Sequence, residues 1–241
     1  MKRLSKKFEI NTYTYEMIHI PEGHFDMGDE HGDLLSSTQP IKKNIHVKSF
    51  WMATYPTTQA FWLEVMDGEN PSGFKGMDRP VERVSWEEVQ VFLEKLNYSK
   101  EGLKQHKEDG LKYRLPSEVQ WEYAARGGKN DGLKYAGSNN LKEVGWYDKN
   151  SHNESKPVGK KLPNEFGLHD MSGNVWEWCA DNWVDNLNGI TDDQPREAYT
   201  NLRSVRGGSW GNVGYACRSA YRSRDLTGNH YLIMGFRIAR Y

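Results

Sequence analysis

Between Asn164 and Asp181 the chain reads NEFGLHDMSGNVWEWCAD, and this stretch restricts the possible architecture more than any other. Gly167, Gly173 and Asn174 interrupt any helix, while Trp176 and Trp178 each require a large apolar environment and a partner for the indole N–H. No regular periodicity runs through it. The stretch is therefore expected to be neither an ordinary helix nor a strand, but a long structured loop pinned by buried aromatics. RGGSW, CRSAYR and GFRIAR carry the same character towards the end of the sequence.

A chain of 241 residues is long enough to bury a sizeable core. Apolar residues make up only 37 %, yet there are nine tryptophans and thirteen tyrosines, so the core must rely on irregularly placed aromatics. The net charge of −1 gives no electrostatic argument for nucleic acid or an anionic membrane. MKRLSKKFEI has basic residues without an apolar run behind them, which reads as neither signal peptide nor membrane anchor. Cys179 and Cys217 form no CxxC pair and are expected to be two buried thiols, with a single disulfide between them as the alternative.

Alternation predicts extended segments over 13–21, 24–27 and 41–55. Helices are expected after Thr57 or Thr58, with Phe61, Trp62, Val65 and Met66 facing inward, and after Ser85, whose partner Glu88 completes a capping box. A third helix starts at Ser117 and stops at Gly127–Gly128. The lysine-rich run 99–112 between the last two reads as a solvated excursion. Beyond Gly128 little helix is expected, with short extended pieces over 204–210, 216–222 and 234–239. Helices early and irregular strands late, with no linker between them, point to one α+β domain over 1–241.

The ordered blocks PEGHFDMG, PVERVSWEEVQVFLEKLN, YRLPSEVQWEYAARGG, KPVGKKLPNEFGLHDMSGNVWEW, VRGGSW, CRSAYR and GFRIAR resemble the formylglycine-generating enzyme, or sulfatase-modifying-factor, family. The resemblance covers nearly the whole chain from about Met17 onward. It implies a C-type-lectin-like fold, rich in loops and poor in secondary structure, on which both catalysts and binding proteins are built. It also implies a structural calcium ion held by the Asp170 and Glu177 side chains and the Gly173 and Val175 carbonyls, a donor set of hard oxygens that suits calcium. The family's second calcium site draws on a stretch that is shorter here and is not carried over.

Oxidase members of the family bind copper through two cysteines after GGS(W/Y). In this chain Asn212 takes the first of those places; Cys217 lies at the spacing of the second, or equally aligns as the residue just before RSAYR, where many non-oxidase relatives carry a cysteine. A lone thiol does not make a two-thiolate Cu(I) site, so copper chemistry is not expected, and Cys217 remains the catalytic candidate only of the alternative, oxidoreductase reading. An iron-dependent branch takes its histidine ligands from an additional helical domain, to which no segment here corresponds. The eight histidines, His31 among them, are scattered and show no HxxxH spacing.

Segment 211–233, GNVGYACRSAYRSRDLTGNHYLI, contains no Lys, Glu, Gln, Trp or Met, residue types that make up about a quarter of the chain. No codon ending in C encodes any of the five. Such a gap is the mark of adenine-directed mutagenesis of AAC codons, and the sequence resembles the variable proteins of diversity-generating retroelements, which diversify this end of a lectin-type fold. The composition suits a binding face, because tyrosine supplies rigid amphipathic contact and Ser, Gly and Asn supply adaptable hydrogen bonds. Tyr215, Tyr221 and Tyr231 are the expected anchors, with Asn212, Val213, Ser223, Asp225, Thr227, Asn229 and His230 as further contacts. Arg218 and Arg222 read as framework. The expected function is non-catalytic recognition of a protein or glycan ligand, without nucleic acid and without a membrane span.

Overall fold

The computed structural model describes residues 4–29, 36–129 and 132–241; His31 lies outside them. Strands β1 (Ser5–Ile10), β2 (Tyr13–Ile20), β3 (Gly23–Met27), β4 (Lys42–Val47) and β5 (Phe50–Ala53) open the chain. The last four lie where alternation placed extended segments. In β1 only Phe8 and Ile10 are buried, too few to announce a strand in the sequence.

Helices α1 (Gln59–Val65), α2 (Trp86–Tyr98), α3 (Lys100–Asp109) and α4 (Glu118–Ala125) follow, with β6 (Tyr113–Arg114) between the last two. Their starts are chemical. Thr58, Ser85, Ser99 and Ser117 each accept a hydrogen bond from the backbone N–H three residues on, and Ser85–Glu88 and Ser117–Gln120 form reciprocal capping boxes. α3 corrects the reading of 99–112 as irregular chain. The run is solvated, but the Ser99 cap and left-handed Gly110 close it as a helix in which only Gly102 is buried.

The remainder adds α5 (Leu141–Val144), β7 (Gly145–Trp146), β8 (Ser172–Gly173), β9 (Trp176–Asn182), β10 (Leu202–Arg206), β11 (Arg222–Leu226), β12 (Met234–Gly235) and β13 (Ala239–Arg240). β9 overturns the expectation that 164–181 holds no strand. Its alternation is masked because both faces are covered: Trp176 and Trp178 enter one core, and Cys179 enters the other. Residues 216–222 are not extended either. A 3₁₀ turn over Gly214–Cys217 leads into a buried stretch, and pairing with β10 begins only at Arg206 opposite Arg222.

A five-stranded sheet has the order β1-β2-β5-β13-β6, and a four-stranded sheet the order β11-β10-β9-β12. β3 pairs with β4 and β7 with β8; β12–β9 and β7–β8 are parallel. α1 and α2 pack Phe61, Trp62 and Phe92 against Phe236, Trp176 and Trp178 in the first core. The second core gathers Ile18, Ile20, Phe25 and Phe50 around Trp121 of α4. Among the described residues no helix is long and apolar enough to cross a membrane.

Both charged and apolar groups fill the interior. Every residue of α4 is buried, including Glu118 and Glu122. Arg222 grips Glu118 through Nε at 2.6 Å and Nη2 at 2.9 Å, Ser204 donates to the same carboxylate at 2.9 Å, and Arg196 and Arg206 close on it as well. Burial alone would raise the Glu118 pKa; the three guanidinium groups overcome that and hold it below the ordinary carboxylate range.

Candidate functional site

The C-terminal segment forms a half-turn, an edge strand and a return loop. Val213, Tyr215, His230 and Tyr231 are exposed, while Asn212, Tyr221, Ser223, Asp225, Thr227 and Asn229 are half-buried. Tyr215 meets Tyr221 edge-on with ring centroids 5.4 Å apart, and Tyr221 leans on the Trp176 ring at 6.0 Å. Tyr221 therefore ties the surface to the core, whereas Tyr215 and Tyr231 remain 39 % and 47 % exposed.

Several of the polar candidates are already engaged. Ser209 Oγ donates to Asn212 Oδ1 at 2.5 Å. Asp225 Oδ1 accepts from the Leu226 N–H at 2.8 Å and from Asn229 Nδ2 at 2.5 Å, stapling the turn after β11. The Thr227 carbonyl accepts from Trp86 N–H, and His230 Nε2 lies 3.2 Å from Glu88 Oε2. Around Tyr231 the fold adds residues that the sequence did not nominate: Arg83, Trp210, Leu232 and Ile233 line an open hollow of about 550 Å³ with it. Trp210 Nε1 donates to the Leu232 carbonyl at 3.0 Å, and Phe74 stands edge-on to the Trp210 ring at 5.4 Å. Arg83 comes from far upstream and sits in a left-handed conformation, φ 62°, which a non-glycine side chain adopts at a cost. No composition signal marks it.

Arg218 and Arg222 hold the framework from beneath. Arg218 stacks over Tyr215 at 3.9 Å and pairs with Asp29 at 2.9 Å, and Arg222 stacks over Trp183 at 4.4 Å while bound to Glu118.

At the expected cation site, Asp170 is buried in a left-handed conformation, φ 55°. Burial pushes its carboxyl up to about 6, because the Gly159 N–H at 2.8 Å and nearby Arg237 only partly offset the lost hydration. Asp170 thus fits a cation ligand: a buried oxygen donor short of positive charge. Glu177 fits less well. Arg237 Nε and Nη2 donate to its two oxygens at 2.7 Å each, and Trp121 Nε1 donates at 2.7 Å. Among the described residues its Oε1 accepts a single bond, which leaves a lone pair for a further partner. Gly173, at φ 90°, is fixed by closeness: a Cβ there would lie 2.1 Å from the Trp146 carbonyl oxygen.

Cys179 and Cys217 are free and fully buried, as expected. Cys217 lies under the Gly207–Gly208 turn, where a Cβ on Gly208 would be 2.7 Å from Sγ. Burial, and then the Asp148 charge, push its thiol up to about 12.

This chain belongs to the family of sulfatase-modifying factor enzyme 1-like domains, whose profile matches residues 2–241. Its fold is accordingly the C-type-lectin-like α+β architecture of formylglycine-generating enzymes. It is similar to the chaperone protein LppX of Paenibacillus barcinonensis, 36 % identical over 211 residues, covering 70 % of this chain and 71 % of that one. It is also similar to the formylglycine-generating enzyme of Thermomonospora curvata, 28 % identical over 204 residues, covering 77 % of this chain and 59 % of the relative. Among solved structures, variable protein 1 of Treponema denticola superposes with a TM-score of 0.85 at 28 % identity, covering 98 % of each chain.

Proposed function

We propose that this protein is a non-catalytic ligand-binding scaffold, one domain over 1–241, which displays segment 211–233 as a variable recognition surface for a protein or glycan. The observation that carries this reading is the exposure of Tyr215 and Tyr231 over a rigid base, in a chain so similar to a named variable protein. Two rigid aromatic rings supply contact area at low entropic cost, and the hollow beside Tyr231 offers a place for an anchoring group. The competing reading, an oxidoreductase acting on a cysteine of a protein substrate, would place Cys217 at its centre. A thiol held protonated and out of solvent is poorly suited to that work.

Tyr215→Ala and Tyr231→Ala should each move Tm by no more than about 2 °C, since exposed side chains contribute little to folding. Tyr221→Ala should lower it by more. A large loss at either exposed tyrosine means that the patch is structural and the reading is wrong. The enzymatic alternative is checked by incubating the protein with copper and a cysteine-containing peptide. We expect no thiol oxidation, and turnover abolished by Cys217→Ala would reverse the assignment.

Calcium belongs to the same proposal: an ion bound by Asp170, Glu177 and the Gly173 and Val175 carbonyls would tie the loop before β9. Calcium at a hundred times its Kd stabilises the folded state by about 2.7 kcal/mol. Tm should therefore rise with added calcium and fall with chelator, and Asp170→Asn should weaken the response. A Tm indifferent to both removes the ion from the account.

A further inference from the structure

Among the described residues that line the hollow beside Tyr231, Arg83 carries the only permanent charge. It is exposed, and its guanidinium has no hydrogen-bond or ion-pair partner among those residues. Its place is nevertheless fixed. The Tyr231 carbonyl accepts from the Arg83 and Met234 N–H groups, both at 3.0 Å. The arginine stem and the Leu232 side chain converge on Gly73, where a Cβ would lie 2.3 Å from Leu232 Cδ2 and 3.8 Å from Arg83 Cδ. Holding a non-glycine residue at φ 62° costs stability, and among the described residues no contact of the guanidinium offsets that cost.

Two acids lie close by, and both are engaged elsewhere. Glu82 is fully buried, with Oε1 accepting from the Phe74 N–H at 2.8 Å. Glu88 Oε2 accepts from the Ser85 N–H at 2.8 Å and lies 3.2 Å from His230 Nε2. Neither lines the hollow, whose other walls are Trp210, His230, Tyr231, Leu232 and Ile233.

Aromatic and aliphatic walls favour an apolar body. An accessible guanidinium with free donors favours a carboxylate, whose two oxygens match its paired N–H groups. A C-terminal apolar residue carries both on one Cα, whereas an Asp or Glu side chain has no comparable apolar body. A sugar needs acceptors as well as donors for its hydroxyls, and the lining holds no acid or amide side chain.

We propose that the hollow is a pocket for the C-terminus of a protein ligand that ends in an apolar residue, with Arg83 holding the carboxylate and the ring walls holding the side chain. The inference rests on the reading of 211–233 as a recognition surface, and names the group that the ligand brings to the Tyr231 side of it.

N-Acetylphenylalanine is the probe, titrated into isotope-labelled protein. The Trp210 indole N–H resonance is the readout, because that group donates to the Leu232 carbonyl in the wall. A saturable shift with a Kd on the order of 1 mM is expected of so small a ligand. N-Acetylphenylalaninamide should bind at least tenfold more weakly; a pair left in open water would discriminate by no more than about fivefold. N-Acetylaspartic acid α-amide tests the acidic side chain and N-acetylneuraminic acid the acidic sugar, and both should bind more weakly than the probe. Arg83→Gln should weaken probe binding at least tenfold. Arg83→Gly also relieves the left-handed backbone, so its Tm should stay within about 2 °C of the native value while binding is lost. Equal binding of acid and amide, tighter binding of the aspartate or sugar probe, or an undiminished response in both Arg83 variants overturns the proposal. The two readings fail separately. An unresponsive Trp210 resonance ends the pocket, whereas a collapse of Tm in Tyr215→Ala ends the wider recognition surface and leaves a responsive pocket standing.

Discussion

Glu118→Ala is expected to cost about 3–5 kcal/mol of folding stability, because it strips the counter-charge from a fully buried cluster while leaving its cations in place. Arg222 and Arg206 are both buried, and Arg196 is mostly so. Three guanidinium groups converge on this carboxylate, and the remaining acids cannot take over: Glu122 is held by Arg126 and Arg206, and Asp181 by Arg196 and the Glu118 N–H. At roughly 2–4 °C per kcal/mol for a chain of this size, Tm should fall by on the order of 10 °C. Urea unfolding of the variant checks the figure. Glu118→Gln should recover little, since an amide keeps the shape and loses the charge.

The sign of the pH dependence follows from the same contacts. The Glu118 pKa is depressed in the folded state, so its contribution is fully present above the ordinary carboxylate pKa and is lost as pH falls through the lower, folded value. The stability gap between the native chain and Glu118→Gln should therefore be widest near neutrality and narrow on acidification. A gap of under about 1 kcal/mol at neutral pH would show the cluster to be incidental to folding.

The sequence announced those features whose signals are local. The caps at Thr58, Ser85 and Ser117 could be placed because a hydroxyl and an acid or amide three residues apart have few other uses at a helix start. β2 to β5 were legible from alternation that separates a wet face from a dry one. β9 was not, because both its faces are covered: its polar residues Glu177 and Asp181 are buried like its tryptophans, so their spacing marks no wet face, and the tryptophans suggested a loop. α3 failed the opposite way: it has no apolar stripe, and only its end caps keep it helical.

The candidate surface was half legible for a similar reason. Composition marked 211–233 as unusual, and exposure then separated Tyr215 and Tyr231 from Tyr221, which packs on Trp176. Arg83 and Trp210 join Tyr231 only through tertiary structure. The stack of Arg203 on Trp86 gave no sign either, since it joins β10 to the start of α2 only in the folded chain.

Arg237→Met should be the second severe substitution, and its partner can be used to show why. Arg237 supplies two donors to Glu177 and also donates to the His169 carbonyl at 2.8 Å and the Ala53 carbonyl at 3.2 Å. It therefore bridges β9, the loop before it and the end of β5. Removing it leaves the Glu177 carboxylate buried with, among the described residues, the Trp121 indole as its one remaining hydrogen-bond donor, and a loss of about 3–5 kcal/mol is expected. If stranded charge is the cause, Arg237→Met combined with Glu177→Gln should be more stable than Arg237→Met alone, a coupling of about 1–3 kcal/mol. Additive losses would instead mean that the two carbonyl bonds carry the effect. Calcium gives an independent reading of the same interaction. With Arg237 gone, Glu177 has more capacity for a cation, so added calcium should rescue Arg237→Met by more degrees than it stabilises the native chain, and Asp170→Asn in that background should abolish the rescue. A variant that calcium does not help would mean that Arg237 itself, and no ion, holds the loop before β9.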